Sequence, residues 1–477
     1  MRKKGSVTVF LTLILSLLLS LICASIESVR MASARTQILN GMDIGLYSLF
    51  GQYDKELLAD YDLFALDGSR GGGQLDLAAV CDELEAYMNP VLKQNSQKLT
   101  LCQSGLTGYR LLTDQKGEAF YQQIVGYMQE TLGSQGIQLL LGRMSERQEK
   151  TAQADQSANQ AQSKGSIDRY DSEMNQASEK SQQAAEEAQV VPQAPPAKNP
   201  ITIMKRIMKR GVLELVLPGG NGLSTKEIEK GTLVSGRGLQ QGMEMPDGMT
   251  VENSYTSEVL FQQYLMEHLG SYAEPSSAGL AYQMEYVFGG KNSDEDNLKA
   301  VASKLLFIRE GVNFACLMAD NVKRSEAQAL ATAIASGFLV PPAAVIIEAA
   351  LILCWAFAES VLDIRELFAG GRIPLVKSSG DWQISLENLP DLMEGLDSMR
   401  RNDEKGMSYK DYLQVLVLTV SKEKKAMRAM DMIENTIREK GRKNFCMDSC
   451  IVALEAFADV KANKKKDFQV IRQYCYE

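Results

Sequence analysis

The strongest pattern of apolar and polar positions stands at the start of the chain. Ser6 to Ser25 runs for twenty residues without a charge. As a helix rising ~1.5 Å per residue it covers ~30 Å, the thickness of a bilayer's hydrocarbon core. Arg2, Lys3 and Lys4 precede it, and Glu27 and Arg30 follow. The basic cluster predicts a cytoplasmic N-terminus, with the bulk of the chain extracytoplasmic. Beyond the run, Ile26, Val29, Ile38, Met42, Leu46 and Leu49 return at three- and four-residue steps or their multiples. No proline interrupts them. The period predicts one helix from about Ser6 to Tyr53, ~70 Å long, half in lipid and half packed on an ectodomain. Gly41 and Gly45 weaken this helix without ending it. The alternative is two helices with a break near Gly41.

Further along, the pattern changes several times. "ADYDLFALDG" reads as a short strand or turn closed by Asp67-Gly68. "DLAAVCDELEAYMNPVL" predicts a helix ending near Asn89-Pro90, and "QKLTLCQSGLTGYRLL" a strand. "GEAFYQQIVGYMQETL" returns to helical spacing. From about Arg143 the chain turns rich in Gln, Ala, Ser and Glu. It has few large apolar residues to bury, so 146–200 reads as a surface insertion or linker, at most a frayed exposed helix. Pro192, Pro195, Pro196 and Pro200 close it as an extended stop.

"ITIMKRIMKR" and "SEVLFQQYLMEHLGSY" predict helices. "GLAYQMEYVFGG" alternates and predicts a strand. Ser293 is placed to cap the next helix, with Asp296 three residues on. A second charge-free run, "QALATAIASGFLVPPAAVII", holds Pro341-Pro342. Prolines break helices, so the run predicts a helical hairpin over about 328–366. Glu348, Trp355 and Glu359 share one face of its second helix, which suits a buried hairpin better than lipid. The stretch from Lys405 to Lys440 is helical. "FCMDSCIVALEAFADV" and "DFQVIRQYCYE" predict strands, expected to pair with "LAYQMEYVF". The expected architecture is α+β. A long N-terminal transmembrane helix (1–53, membrane span about 6–25) continues into a mostly helical ectodomain with one small antiparallel sheet. The ectodomain falls into 54–145, the insertion 146–200, and 201–477.

Composition narrows the function by exclusion. The net charge of −9 argues against nucleic acid, which needs basic patches. There are eight cysteines and one histidine, His268. The cysteines show no repeated C-x-x-C spacing, so no zinc site is expected. Cys446 and Cys450, read on one strand, stand ~13 Å apart, too far to bridge. "LPGGNGLSTKE" lacks the G-K-[ST] of a phosphate loop, and "SGRGLQQG" misses the dinucleotide spacing. "NSDEDN" lacks the glycine and terminal glutamate of a calcium loop. No catalytic, cofactor-binding or metal residue is assigned, and no cofactor or small-molecule substrate is expected. Paired carboxylates have no short signature, so a carboxylate hydrolase stays open.

Three fates compete for the N-terminal run. Its length favours a retained anchor over a cleaved signal peptide. Cys23-Ala24-Ser25 is a poor cleavage site, and Ile22 is too large for a lipoprotein Cys23. A basic leader ending at Gly5, followed at once by an apolar helix from Ser6, also fits a pilin-like precursor cut after the glycine. Such precursors carry Glu five residues after the cut, where this chain has Phe10. Ser16, Ser20, Ala24 and Ser25 offer small-residue contacts to partner transmembrane helices.

"KGSVTVFLTLIL", "ESVRMASARTQ", "YDLFALD", "YQMEYVFGGKNSDEDNLKAVASKLLFIREGVNF", "WAFAESVLDIRELFAGGRIPLVKSSGDWQISLENL" and "MSYKDYLQVLVL" together carry a resemblance. The chain resembles the membrane-anchored proteins grouped as domain of unknown function 5702. That resemblance implies a non-enzymatic cell-surface protein, pseudopilin-like or accessory, beside the tight-adherence (Flp-type) pilus or secretion machinery of Gram-positive bacteria. Its expected partners are the membrane and other pilus or secretion-system proteins, met through the N-terminal helix. The rival expectations are a membrane-tethered binding or sensor domain and an extracellular hydrolase using paired carboxylates.

Overall fold

A computed structural model describes residues 3–94, 99–164, 200–217, 222–243, 254–337, 344–391, 406–462 and 466–476, with the single positions 172, 175, 176, 179 and 245. In chain order the elements are helix α1 (Lys3–Phe50), α2 (Lys55–Tyr61), strand β1 (Leu66–Asp67), α3 (Leu77–Lys93), β2 (Leu99–Leu111) and α4 (Asp114–Lys164). Then come α5 (Pro200–Met208), α6 (Val212–Val216), α7 (Tyr255–His268), α8 (Gln283–Gly289), α9 (Asp294–Ala319), α10 (Asn321–Gly337) and α11 (Ala344–Phe368). Helices α12 (Tyr409–Leu418) and α13 (Lys422–Glu439) precede strands β3 (Cys450–Ala462) and β4 (Lys466–Cys475). The chain forms two compact units, one of residues 1–127, 232–252 and 437–477, the other of 128–231 and 253–436.

The first unit lays helices on a small antiparallel sheet. β3 is its central strand, pairing with β2 from Ile451 to Ala462 and with β4 from Ala453 to Ala462, while β1 meets Cys450 and Ile451. Successive side chains of a strand point to opposite faces. On β3 Cys450 to Leu454 are all buried, and beyond them burial alternates through Ala456, Ala458, Val460 and Ala462, mostly small residues that let helices come close. Ala34, Ile38, Met42, Leu46, Leu49 and Phe50 of α1 join them in one core with Val80, Leu84, Met88 and Leu92 of α3.

Gly41 and Gly45 lie at the crossing of α1 and α3. A Cβ on Gly45 would meet Met88 Cγ at 2.6 Å, and one on Gly41 would meet Leu92 Cδ2 at 3.3 Å. α1 is therefore a single helix that pays for these glycines in propensity and uses them for close approach. α3 continues through Pro90 to Lys93, past its expected end. The proline removes one intrahelical N–H, and burial of Leu92 holds the last turn in place. α2, unforeseen in the sequence, starts where the Asp54 carboxylate accepts the N–H groups of Glu56 and Leu57, both at 3.0 Å. The other Asp54 oxygen meets Arg442, which also bonds Asp67 at 3.0 Å.

The second unit is helical, built around α11. The segment expected as a strand is α8, so β3 and β4 pair with β2 and with each other instead. Leu280 to Val287 are all buried, polar positions included. Gln283 and Glu285 are buried through hydrogen bonds to Gly270 N, Thr436 Oγ1, Tyr272 N and Tyr409 Oη, so the alternation did not mark a wet face. The stretch expected as helical forms two helices, α12 and α13. α12 begins at a reciprocal capping box between Ser408 and Asp411.

The expected insertion also begins differently. α4 runs on to Lys164 with Thr151 and Ala154 buried, and it is tied by Arg147–Asp411 at 2.8 Å and Lys304–Asp155 at 2.6 Å. Nearly all of 165–199 lies outside the described residues, as does Pro341-Pro342. Cys446 and Cys450 are not on one strand. A 3-10 turn over Met447–Ser449 brings Cys450 Sγ to 3.7 Å from the Cys446 carbonyl, and the cysteines are free thiols.

Candidate functional site

The candidate site is the first half of α1. It is long and apolar enough to cross a membrane, and none of its apolar window is buried inside the protein. Phe10, Leu13, Leu17, Leu21 and Val29 are all more than half exposed. Hydrocarbon offers no hydrogen bonds, so a hydroxyl there costs several kcal/mol unless it is satisfied within the helix. Four hydroxyls of this segment meet that condition. Thr12 donates to the Val9 carbonyl at 2.9 Å, Ser16 to Leu13 at 2.9 Å, Ser20 to Leu17 at 2.8 Å and Ser25 to Leu21 at 2.9 Å.

Helix geometry sorts the predicted contact residues. At about 100° per residue, Ser16, Ser20 and Ala24 fall on one stripe about 80° wide. Ser25 falls about 180° from Ser16, on the far side. Three of the four therefore share a face and Ser25 does not. Gly5 and Ser6 lie within the first turns of α1, and Phe10 projects outward at 63% exposure.

α11 passes the same test of length and apolarity, yet 78% of its window is buried. Its polar stripe explains the difference. Glu348 meets Arg324 of α10 at 3.0 Å, and Trp355 Nε1 donates to the Ile384 carbonyl at 2.7 Å. Glu359 and Asp363 both bond Lys377 Nζ at 2.5 Å. Arg309 of α9 reaches Asp363 through Nε at 2.9 Å and Nη2 at 2.7 Å, and donates to the carbonyls of Leu375 and Pro374. Asn313 adds a bond to Asp363 at 3.0 Å.

The four charged side chains at this centre are at most 2% exposed. Burial alone would raise the Asp363 carboxyl, but Arg309 and Lys377 outweigh it and hold it below the usual carboxylate value. The paired carboxylates Glu359 and Asp363 are thus neutralised by two cations and closed off from solvent. Glu348, Trp355 and Glu359 were legible as a stripe. Asp363 follows Glu359 by four residues on the same face, and that spacing was the missed signal. Arg309 and Lys377 carry no sequence signal, because only the tertiary fold brings them there.

The other polar candidates have structural roles. The ring of His268, at the end of α7, lies 4.2 Å from that of Tyr264. In "NSDEDN", Ser293 Oγ accepts Asp296 N–H as the cap of α9. Asp294 turns inward and accepts the N–H groups of Ala281 and Tyr282, both at 2.9 Å.

The model of a family described as "Family of unknown function (DUF5702)" matches residues 192–462. The match takes in α5 to β3 and leaves out α1 to α4 and β4, a shorter stretch than the resemblance that began at the first residues. No curated protein and no solved structure matches the chain.

Proposed function

Because the chain belongs to the DUF5702 family of unknown function, we propose its role from its own anchor helix: a non-enzymatic, membrane-anchored surface protein, pseudopilin-like or accessory, in a tight-adherence pilus or secretion system. One observation carries the reading. The single helix α1 has a free apolar first half and a second half that is the core of a sheet-bearing unit. A rigid spine shared by membrane and ectodomain transmits position and force between them, as a subunit of a membrane-borne assembly requires. In this reading the basic residues before Val7 stay cytoplasmic, the rest of the chain is extracytoplasmic, and the Ser16–Ser20–Ala24 stripe meets partner transmembrane helices.

N-terminal sequencing of the mature protein from membranes is the first test. A start at Ser6 marks a pilin-type peptidase, and an intact Met1 marks a simple anchor. A start near Ile26 marks secretion and overturns the reading. Crosslinking through position 20 followed by pulldown is the second test. Recovery of secretion-system components supports the assembly role, and recovery of none in intact cells counts against it.

A further inference from the structure

Glu285 on α8 has no solvent exposure. Its Oε1 accepts the backbone N–H of Tyr272 at 2.9 Å and the hydroxyl of Tyr409 at 2.5 Å. Its Oε2 is equally buried and has no donor among the described residues. An aromatic wall stands beside it: the Tyr272 ring lies 4.9 Å from Phe368, 5.5 Å from Tyr282 and 5.9 Å from Tyr409.

Among the described residues, none of the leading influences on this carboxyl is a positive charge. Tyr272 and Tyr282 come from the segment before α8, Tyr409 from α12, and Asp294 from the first turn of α9. On α13, Arg428 donates to the carbonyls of Val287 and Phe288, and Asp431 accepts from the Tyr286 hydroxyl. Lys410 pairs with Glu274. An ionised carboxylate in such a place is costly, and a proton on Oε2 removes the cost. Burial pushes the Glu285 carboxyl up to about 7, against the bonds from Tyr409 and Tyr272, with Asp294 adding to the rise.

Glu285 also joins three segments. Tyr272 sits in a tight turn in which Ser271 and Glu274 exchange backbone hydrogen bonds at 2.9 and 3.0 Å. Tyr409 is the first residue of α12. We propose that Glu285 is a proton-operated latch: neutral, it holds the 271–274 turn and the start of α12 closed on α8, and on losing its proton it loosens both. The sign follows from linkage. A carboxyl whose folded value is raised above the ordinary 4.5 binds more protons folded than unfolded. The stability it contributes is full below that ordinary value and is lost as pH rises through about 7.

Hydrogen exchange on the full chain in lipid nanodiscs tests this, over peptides spanning 269–276 and 406–414, between pH 5.5 and 8.5 and corrected for intrinsic rates. Protection in the wild type should fall about tenfold across neutrality, while Glu285→Gln should stay flat. The same pH dependence in both proteins overturns the latch. If Glu285→Gln fails to fold, Tyr409→Phe decides. Losing a donor to the charged form moves the midpoint upward, whereas a purely structural tyrosine lowers protection equally at every pH. An unmoved midpoint overturns the latch.

Discussion

Two helices of this protein, α1 and α11, are long and apolar enough to cross a bilayer, and they satisfy their polar groups in opposite ways. In the first half of α1 the hydroxyls of Thr12, Ser16, Ser20 and Ser25 return to the helix's own carbonyls, so these groups need no partner from the rest of the protein. The carboxylates of α11 need Arg324, Lys377 and Arg309, which other segments supply. A helix whose charges are met from outside itself is bound to the body that meets them. Length and hydropathy find both helices; the address of each polar partner tells them apart.

The contrast can be broken by mutation, most sharply at Asp363. Asp363→Ala leaves Arg309 and Lys377 short of buried counter-charge and should cost about 3–5 kcal/mol in urea unfolding. The chain's two tryptophans make this visible, since Trp355 and Trp382 lie 6.1 Å apart and Lys323 stands 5.0 Å from the Trp355 ring. Release of that variant from membranes, with its fold intact, would collapse the distinction between the helices. Leu17→Arg is the mirror experiment. It should cost about 2.5–3.5 kcal/mol of insertion, seen as protein extracted by alkali, with tryptophan emission unchanged.

Gly45→Val tests the packed half of α1. The added side chain meets Met88 and should destabilise the first unit by about 1–3 kcal/mol without reducing membrane retention. The smallest effect belongs to Ser293→Ala, which removes the cap of α9 and should cost about 1 kcal/mol in the urea midpoint.

The long apolar helix α1 was the most legible part of the chain, because its first half is specified by its own residues. β3 and β4 were also readable as strands, β4 through its period-two alternation, in which Phe468, Val470 and Tyr474 pack on the core and the residues between them are exposed or half-buried. The β3 partners were not, because β1 and β2 lie hundreds of residues away in sequence. α8 misled for a different reason. Its polar positions are buried by specific hydrogen bonds, and a helix wrapped on all sides loses its amphipathic signature. Proline was over-read as a breaker, since Pro90 costs α3 only one bond, whereas Gly41 and Gly45, read as weakening α1 without ending it, serve a crossing. Residues 146–164 look too polar to pack, yet two side chains, Thr151 and Ala154, and two ion pairs dock that stretch of α4. The charge cluster was half readable, its α11 stripe in the spacing and its cations only in the fold.

The clasp between Tyr476 and the end of α1 sets an order of events in time. The Tyr476 hydroxyl donates to the Phe50 carbonyl at 2.6 Å, and β3 fills the space beneath Ile38, Met42 and Leu46. Synthesis delivers α1 about four hundred residues before β3 and β4. During that interval the apolar stripe of α1 has no sheet to lie on. Closing so long a loop costs little more than closing a short one in equilibrium terms, but it delays the contact. In the proposed membrane-anchored role one end of that search is fixed, so the returning strands look for a tethered target. A ribosome that stalled before Cys450 would leave the first unit half folded, the apolar stripe of α1 bare of its sheet.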